Sequence, residues 1–189
     1  MLINKLKICK AIDLDSNLKE YITKNYDEQS ISEKVKSYFR ELSQCRTVMS
    51  QMGAVQDNID QLKQNINIIS SYINMLSAVK QKMTFGKESY SCKIEFTWTD
   101  TIKENKYSSY NIFFEIYNAL FNLATCYYNL GTQLSLSAQD KSGHKEATQC
   151  FKRAMYLFNV IKIFGRAHIF VSVKFFANHT DPTKSLTAS

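Results

Sequence analysis

Apolar positions are densest in residues 114–161, which read as two helices joined by a polar loop at 136–143. In the first helix Tyr117, Leu120, Phe121, Leu123, Ala124, Tyr127, Tyr128 and Leu130 cover so much of the circumference that it must lie inside a helical stack. In the second, Ala147, Cys150, Phe151, Ala154, Leu157, Phe158 and Ile161 form a single stripe, so that helix packs one side only. Tyr127, Leu130 and Gly131, followed by Ala147, Phe151 and Ala154, keep the register of a tetratricopeptide hairpin whose loop is four residues too long. Gly131 and Ala154 are small enough for two helix axes to approach closely.

Upstream, a short helix is expected at 16–25, and Ser30 with Glu33 forms a capping-box pattern that starts the next. Ile31, Val35, Tyr38, Leu42, Cys45, Met49 and Met52 alternate steps of four and three, as do Val55, Ile59, Leu62, Ile66, Ile69, Ile73 and Leu76 after Gly53. Such seams serve either an intermolecular coiled coil or an antiparallel hairpin, and the Gly53 break favours the hairpin. Residues 2–12, apolar among lysines, suit an edge strand or extended arm. In residues 90–98, Cys92, Ile94, Phe96 and Trp98 share one face of a half-buried strand, expected to pair with that arm and to be anchored to the stack by Trp98. A turn is expected at 84–89 around Gly86, and polar connection at 104–109. The fold class is therefore mainly α: stacked helical hairpins in a tetratricopeptide-like array with a small two- or three-stranded β element near the N-terminus.

Composition adds that 189 residues, 44% of them hydrophobic, can hold one domain with a sizeable core. Residues 1–10 lack the apolar run of a secretory signal, and no segment is long and apolar enough to span a bilayer, which predicts a soluble intracellular protein. The five cysteines, Cys9, Cys45, Cys92, Cys126 and Cys150, are scattered and odd in number, as expected of reduced, buried thiols. The sequon at Asn178 has no use in that compartment. Of the net charge of +7, six units fall from Lys141 onward, where eight basic residues face two acids. This reads as a solvated helix face, with attraction of an acidic segment or anionic leaflet as the functional alternative.

The sequence carries no catalytic or cofactor signature: no phosphate-binding glycine loop, dinucleotide fingerprint, zinc-helix motif or nucleophile elbow. The only candidate neutral-pH bases, His144, His168 and His179, are expected in a loop or in the tail and lack zinc spacing. The acid pairs Asp13 with Asp15, Asp27 with Glu28 and Asp57 with Asp60 sit at helix starts, where they complement the helix dipole. The aromatics Phe113, Phe114, Tyr117, Phe121, Tyr127 and Tyr128 recur at helical spacing, which assigns them to core packing and not to base stacking on nucleic acid. No enzyme, cofactor, metal or nucleic acid is implied.

The segment FFEIYNALFNLATCYYNLGTQ (113–133) resembles the signature helix of the Bro-one domain family, of the Alix, rhophilin and His-domain phosphatase type. KIEFTWTD (93–100) resembles that family's strand ending in Trp-x-Asp, LKEYITKNY (18–26) and residues 42–46 its opening helices, and residues 147–162 its next helix. The resemblance covers about residues 5–163, the N-terminal half of such a domain, and implies a partial domain at 1–163 with a divergent tail at 164–189, disordered beyond about 178. It implies a non-enzymatic adaptor that takes the amphipathic helix of an ESCRT-III subunit in an apolar groove for endosomal sorting and membrane budding, cytoplasmic and peripherally associated with endosomes. It places the partner site on the exposed face of the last matching helix, at Thr148, Lys152 and Met155, Thr148 being polar where the family's groove is apolar. The alternatives are a rhophilin-like scaffold in Rho GTPase signalling and a self-associating helical protein. Ending the stack at 161 would leave one apolar side uncovered.

Overall fold

The structure, a computed structural model, describes residues 4–26, 31–139 and 141–168, the last five for their backbone alone. In chain order the elements are β1 (Ile8–Cys9), α1 (Leu14–Asn25), α2 (Glu33–Gln51), α3 (Ile59–Lys80), β2 (Phe96–Thr99), β3 (Lys106–Ser109), α4 (Ile112–Ser137) and α5 (Lys141–His168). Each helix packs on the next, α4 most extensively on α3 and α5, and the strands form one antiparallel sheet in the order β1-β2-β3. The apolar run at 169–176, the tail and its sequon, the Asp27–Glu28 pair and Ser30 lie outside the described residues.

Local chemistry sets the helix ends. Asp13 caps α1, its carboxylate accepting from the Ser16 amide at 3.1 Å, so the helix starts two residues before the expected 16. Ser32, not Ser30, caps α2 by accepting from the Val35 amide, and Glu33 turns to Lys36 instead of back to the cap. Asn58 caps α3, which therefore begins at Ile59 and leaves Val55 exposed in the connection. The two seams meet within the chain: Leu42, Met49, Leu62, Ile66 and Ile69 are buried, and the Tyr38 hydroxyl donates to the Met75 carbonyl at 2.9 Å across an antiparallel hairpin.

Two connections differ from the sequence reading. Residues 106–109 form β3 where a polar connection was expected, because cross-strand pairing with β2 supplies the backbone partners that their polar side chains do not advertise. The connection of the second hairpin is shorter than expected, since α4 runs to Ser137 and α5 starts at Lys141, both inside the stretch expected to be loop. His144 consequently sits exposed in the first turn of α5, and His168 belongs to the same helix. The burial alternation of Cys92, Ile94, Phe96 and Trp98 is as expected, although ladder pairing is confined to Phe96–Thr99 and, in the arm, to Ile8–Cys9.

α4 is buried around most of its circumference, but one buried stripe is polar: Glu115, Asn118, Asn122, Thr125 and Asn129, at steps of three and four. Glu115 is wholly buried and gathers four elements. Its carboxylate accepts from Trp98 Nε1 at 2.5 Å and Tyr72 Oη at 2.7 Å, and Arg46 Nε lies 3.0 Å away with its guanidinium over the Trp98 ring. Burial opposes charge on Arg46, but the Glu115 carboxylate together with Tyr72 and Cys9 outweighs it, so the guanidinium is held above its usual pKa. Asn122 and Asn129 grip the extended N-terminal arm as a strand would, each side-chain amide accepting from one backbone N–H and donating to the same residue's carbonyl, at Lys7 and Asn4. Lys7 Nζ donates to Asn118 Oδ1 at 2.9 Å and lies over the Phe121 ring; burial lowers its pKa to about 8.

Three stability changes are expected. Glu115→Ala strands the buried Arg46 charge and should cost about 3–5 kcal/mol in denaturant unfolding. Gly131→Ala places a Cβ 3.1 Å from the Ala147 carbonyl and 3.0 Å from the Phe151 ring, so α5 must shift; the gain in helix propensity is outweighed and unfolding shows a net loss of about 1 kcal/mol. Lys7 is charged in the unfolded chain up to its ordinary 10.5 but only to about 8 when folded, so its burial cost is present below pH 8 and disappears as pH rises to 10.5. The stability of Lys7→Met relative to wild type should therefore fall by about 3 kcal/mol between pH 7 and 10.5. The Cys9, Cys92 and Cys126 thiols, pushed up to about 12 by burial, act in the opposite sense in both proteins and cancel in that difference.

Candidate functional site

Because α4 lies between α3 and α5, the face it leaves uncovered between them becomes the floor of a groove. One part, about 620 Å³, is floored by Tyr127 and Leu130 and walled by Lys63, Ile66 and Asn67 of α3 and Lys145, Glu146, Gln149, Cys150 and Arg153 of α5. It meets a second recess of about 360 Å³ formed by Leu123, Tyr127, Lys152, Arg153, Tyr156 and Leu157. Tyr127 and Arg153 belong to both, with the Arg153 guanidinium 5.5 Å from the centre of the Tyr127 ring.

The groove is apolar along its floor and basic along its rim. Lys63, Lys145, Lys152 and Arg153 face one acid, Glu146, which pairs loosely with Lys63 at 3.7 Å. Burial, reinforced by Glu146, raises the Cys150 thiol above its ordinary pKa, making it an apolar wall and not a nucleophile. Among the described residues no cluster of three or more His, Cys, Asp or Glu side chains could hold a metal ion, and no helix is long and apolar enough to cross a membrane.

Thr148, Lys152 and Met155 all lie exposed on one face of α5, so the structure does bring the three together. Only Lys152 reaches the groove. Thr148 and Met155 face outward, the Thr148 hydroxyl donating back to the His144 carbonyl at 2.8 Å and Met155 being 61% exposed. The sequence reading missed Arg153, Tyr156 and the α3 wall. Tyr156, 67% exposed beside the buried stripe of α5, is the signal that could have marked the groove side.

Solved structures share this fold. ALIX in complex with the SIVmac239 PYKEVTEDL late domain superposes with a TM-score of 0.66 at 17% identity, covering 84% of this chain and 22% of that one. The ALIX BRO1 domain in its complex with CHMP4C gives 0.66 at 19% identity, over 84% of this chain and 44% of the other. A Bro1 domain described for endosomal targeting gives 0.54 at 17% identity, over 95% and 54%. The chain thus spans at most about half the length of these structures. No curated protein matches it in sequence. The model of the BRO1-like domain matches residues 1–182, extending past the 5–163 over which the resemblance was traced. That match, on an architecture of stacked helices with a three-stranded sheet clasped to α4, places the chain in the BRO1-like domain family.

Proposed function

We propose that this chain is a non-enzymatic adaptor that binds the amphipathic helix of an ESCRT-III subunit, acting in the cytoplasm at endosomal membranes during sorting and budding. One observation carries the reading: the groove between α3 and α5 has an apolar floor and a rim of four basic residues against one acid, the complement of a helix with one apolar and one acidic face. The shared fold of the ALIX BRO1 domain, solved with CHMP4C, supports the choice of partner. Lys152 contacts the partner from the groove, while Thr148 and Met155 meet it along the outer edge of α5. The alternative of self-association through the α2 and α3 seams is disfavoured because those seams are consumed within the chain. A rhophilin-like role in Rho GTPase signalling has no observation of its own in these residues.

The test is titration of a labelled peptide of the CHMP4C C-terminal helix. Micromolar affinity is expected, falling as salt rises. Lys152→Glu together with Arg153→Glu should weaken binding about tenfold or more, or about 1.4 kcal/mol, and Met155→Asp by less, with no change in melting temperature because these side chains are exposed. Absence of binding at millimolar peptide sinks the reading, and equal binding by the double-charge variant removes the groove from it.

A further inference from the structure

A second recess, of about 520 Å³, opens where the C-terminal ends of α1 and α3 meet the N-terminal end of α2. Its floor is made by Ile31, Phe39 and Val79, all under 9% exposed, and Tyr26 stands 59% exposed at its mouth. The Tyr38 hydroxyl is already engaged by the Met75 carbonyl, so the interior offers apolar surface without a free hydroxyl to recognise a sugar or base. Its charged lining residues are Lys34 and Lys82, both exposed and neither paired with a described carboxylate. The acids of the two neighbouring helix ends are committed elsewhere, Glu33 to Lys36 at 2.8 Å and Glu20 to Lys24.

We propose that this recess binds a short peptide segment in which one or two bulky apolar side chains are flanked by carboxylates, at a site separate from the α3–α5 groove. The apolar side chains enter between Val35, Phe39 and Val79, while the carboxylates meet the two ammonium groups at the rim. The lysine stems extend the apolar wall that the peptide covers. Charge complementarity selects this occupant: two cations that no described carboxylate pairs bound an apolar interior.

The probe is a fluorescein-labelled hexapeptide, Gly-Glu-Leu-Phe-Glu-Gly, titrated into the full chain with amide resonances followed in parallel. Expected are a Kd of tens of micromolar that weakens with salt, and resonance shifts at Ile31, Val35, Phe39 and Val79. Lys34→Glu with Lys82→Glu should weaken the probe about tenfold and leave both the melting temperature and CHMP4C-peptide binding unchanged, so failure here is distinguishable from failure of the groove. No shifts at millimolar probe overturn the proposal. So does equal binding of a probe with Gln in place of Glu, movement of Tyr127 and Arg153 resonances instead, or the same shifts evoked only by phosphatidylserine vesicles. Binding that emerges only in Asp27→Asn with Glu28→Gln likewise overturns it, because the lysines would then serve the chain's own α1–α2 connection.

Discussion

The register of α4 against β2, α3 and α2 depends on one carboxylate with no access to water. Glu115 is tolerated inside the stack only because Trp98, Tyr72 and Arg46 converge on it from β2, α3 and α2. Such a group penalises misregister more than an apolar contact does, since sliding any one element strands a charge or a donor in a dry interior. The arrangement fixes the rotation of α4 about its axis. With that rotation set, Tyr127 and Leu130 point between α3 and α5, and the groove floor follows. A residue remote from the groove therefore decides which side chains line it.

The polar stripe of α4 extends the same constraint along the helix. Asn122 and Asn129 supply to the N-terminal arm the pairing that a neighbouring strand would otherwise give, so β1 needs only two ladder residues to be held. Asparagine is a poor helix former, and placing it at buried positions makes sense only where its amide is fully used. The core is thus specified by polar geometry along one line and by apolar volume elsewhere.

Much of this was legible in the residues. The crowding of Tyr117, Leu123, Ala124 and Leu130 predicted a helix enclosed by its neighbours, and the two seams predicted a folded-back hairpin; both are present. Cys92, Ile94, Phe96 and Trp98 gave the buried strand face and the anchor to the stack. What was not legible has a common physical origin. β3 is a strand because β2 lies beside it, a tertiary cause with no trace in Lys106 to Ser109 themselves. The roles of Asn122 and Asn129 leave no local signal because their partners are backbone groups 115 and 125 residues away. Of Thr148, Lys152 and Met155 only Lys152 lines the groove, because exposure on a lone helix says which residues face away from α4, while the groove depends on where α3 stands.

The position of α3 has a further consequence. Ile66 walls the groove and Val79 floors the second recess, thirteen residues apart on one uninterrupted helix, a separation of about 20 Å at 1.5 Å per residue. Because α3 is locked at its middle by Tyr72 on Glu115, the two surfaces are held at a fixed distance by a buried bond and not by a linker. A single ligand carrying both segments would then gain from geometry alone, since the helix pays no entropy to bring the sites into register. The basic rims differ in origin: Lys145, Lys152 and Arg153 of the groove belong to the positive surplus that begins at Lys141, while Lys34 and Lys82 of the second recess lie outside it.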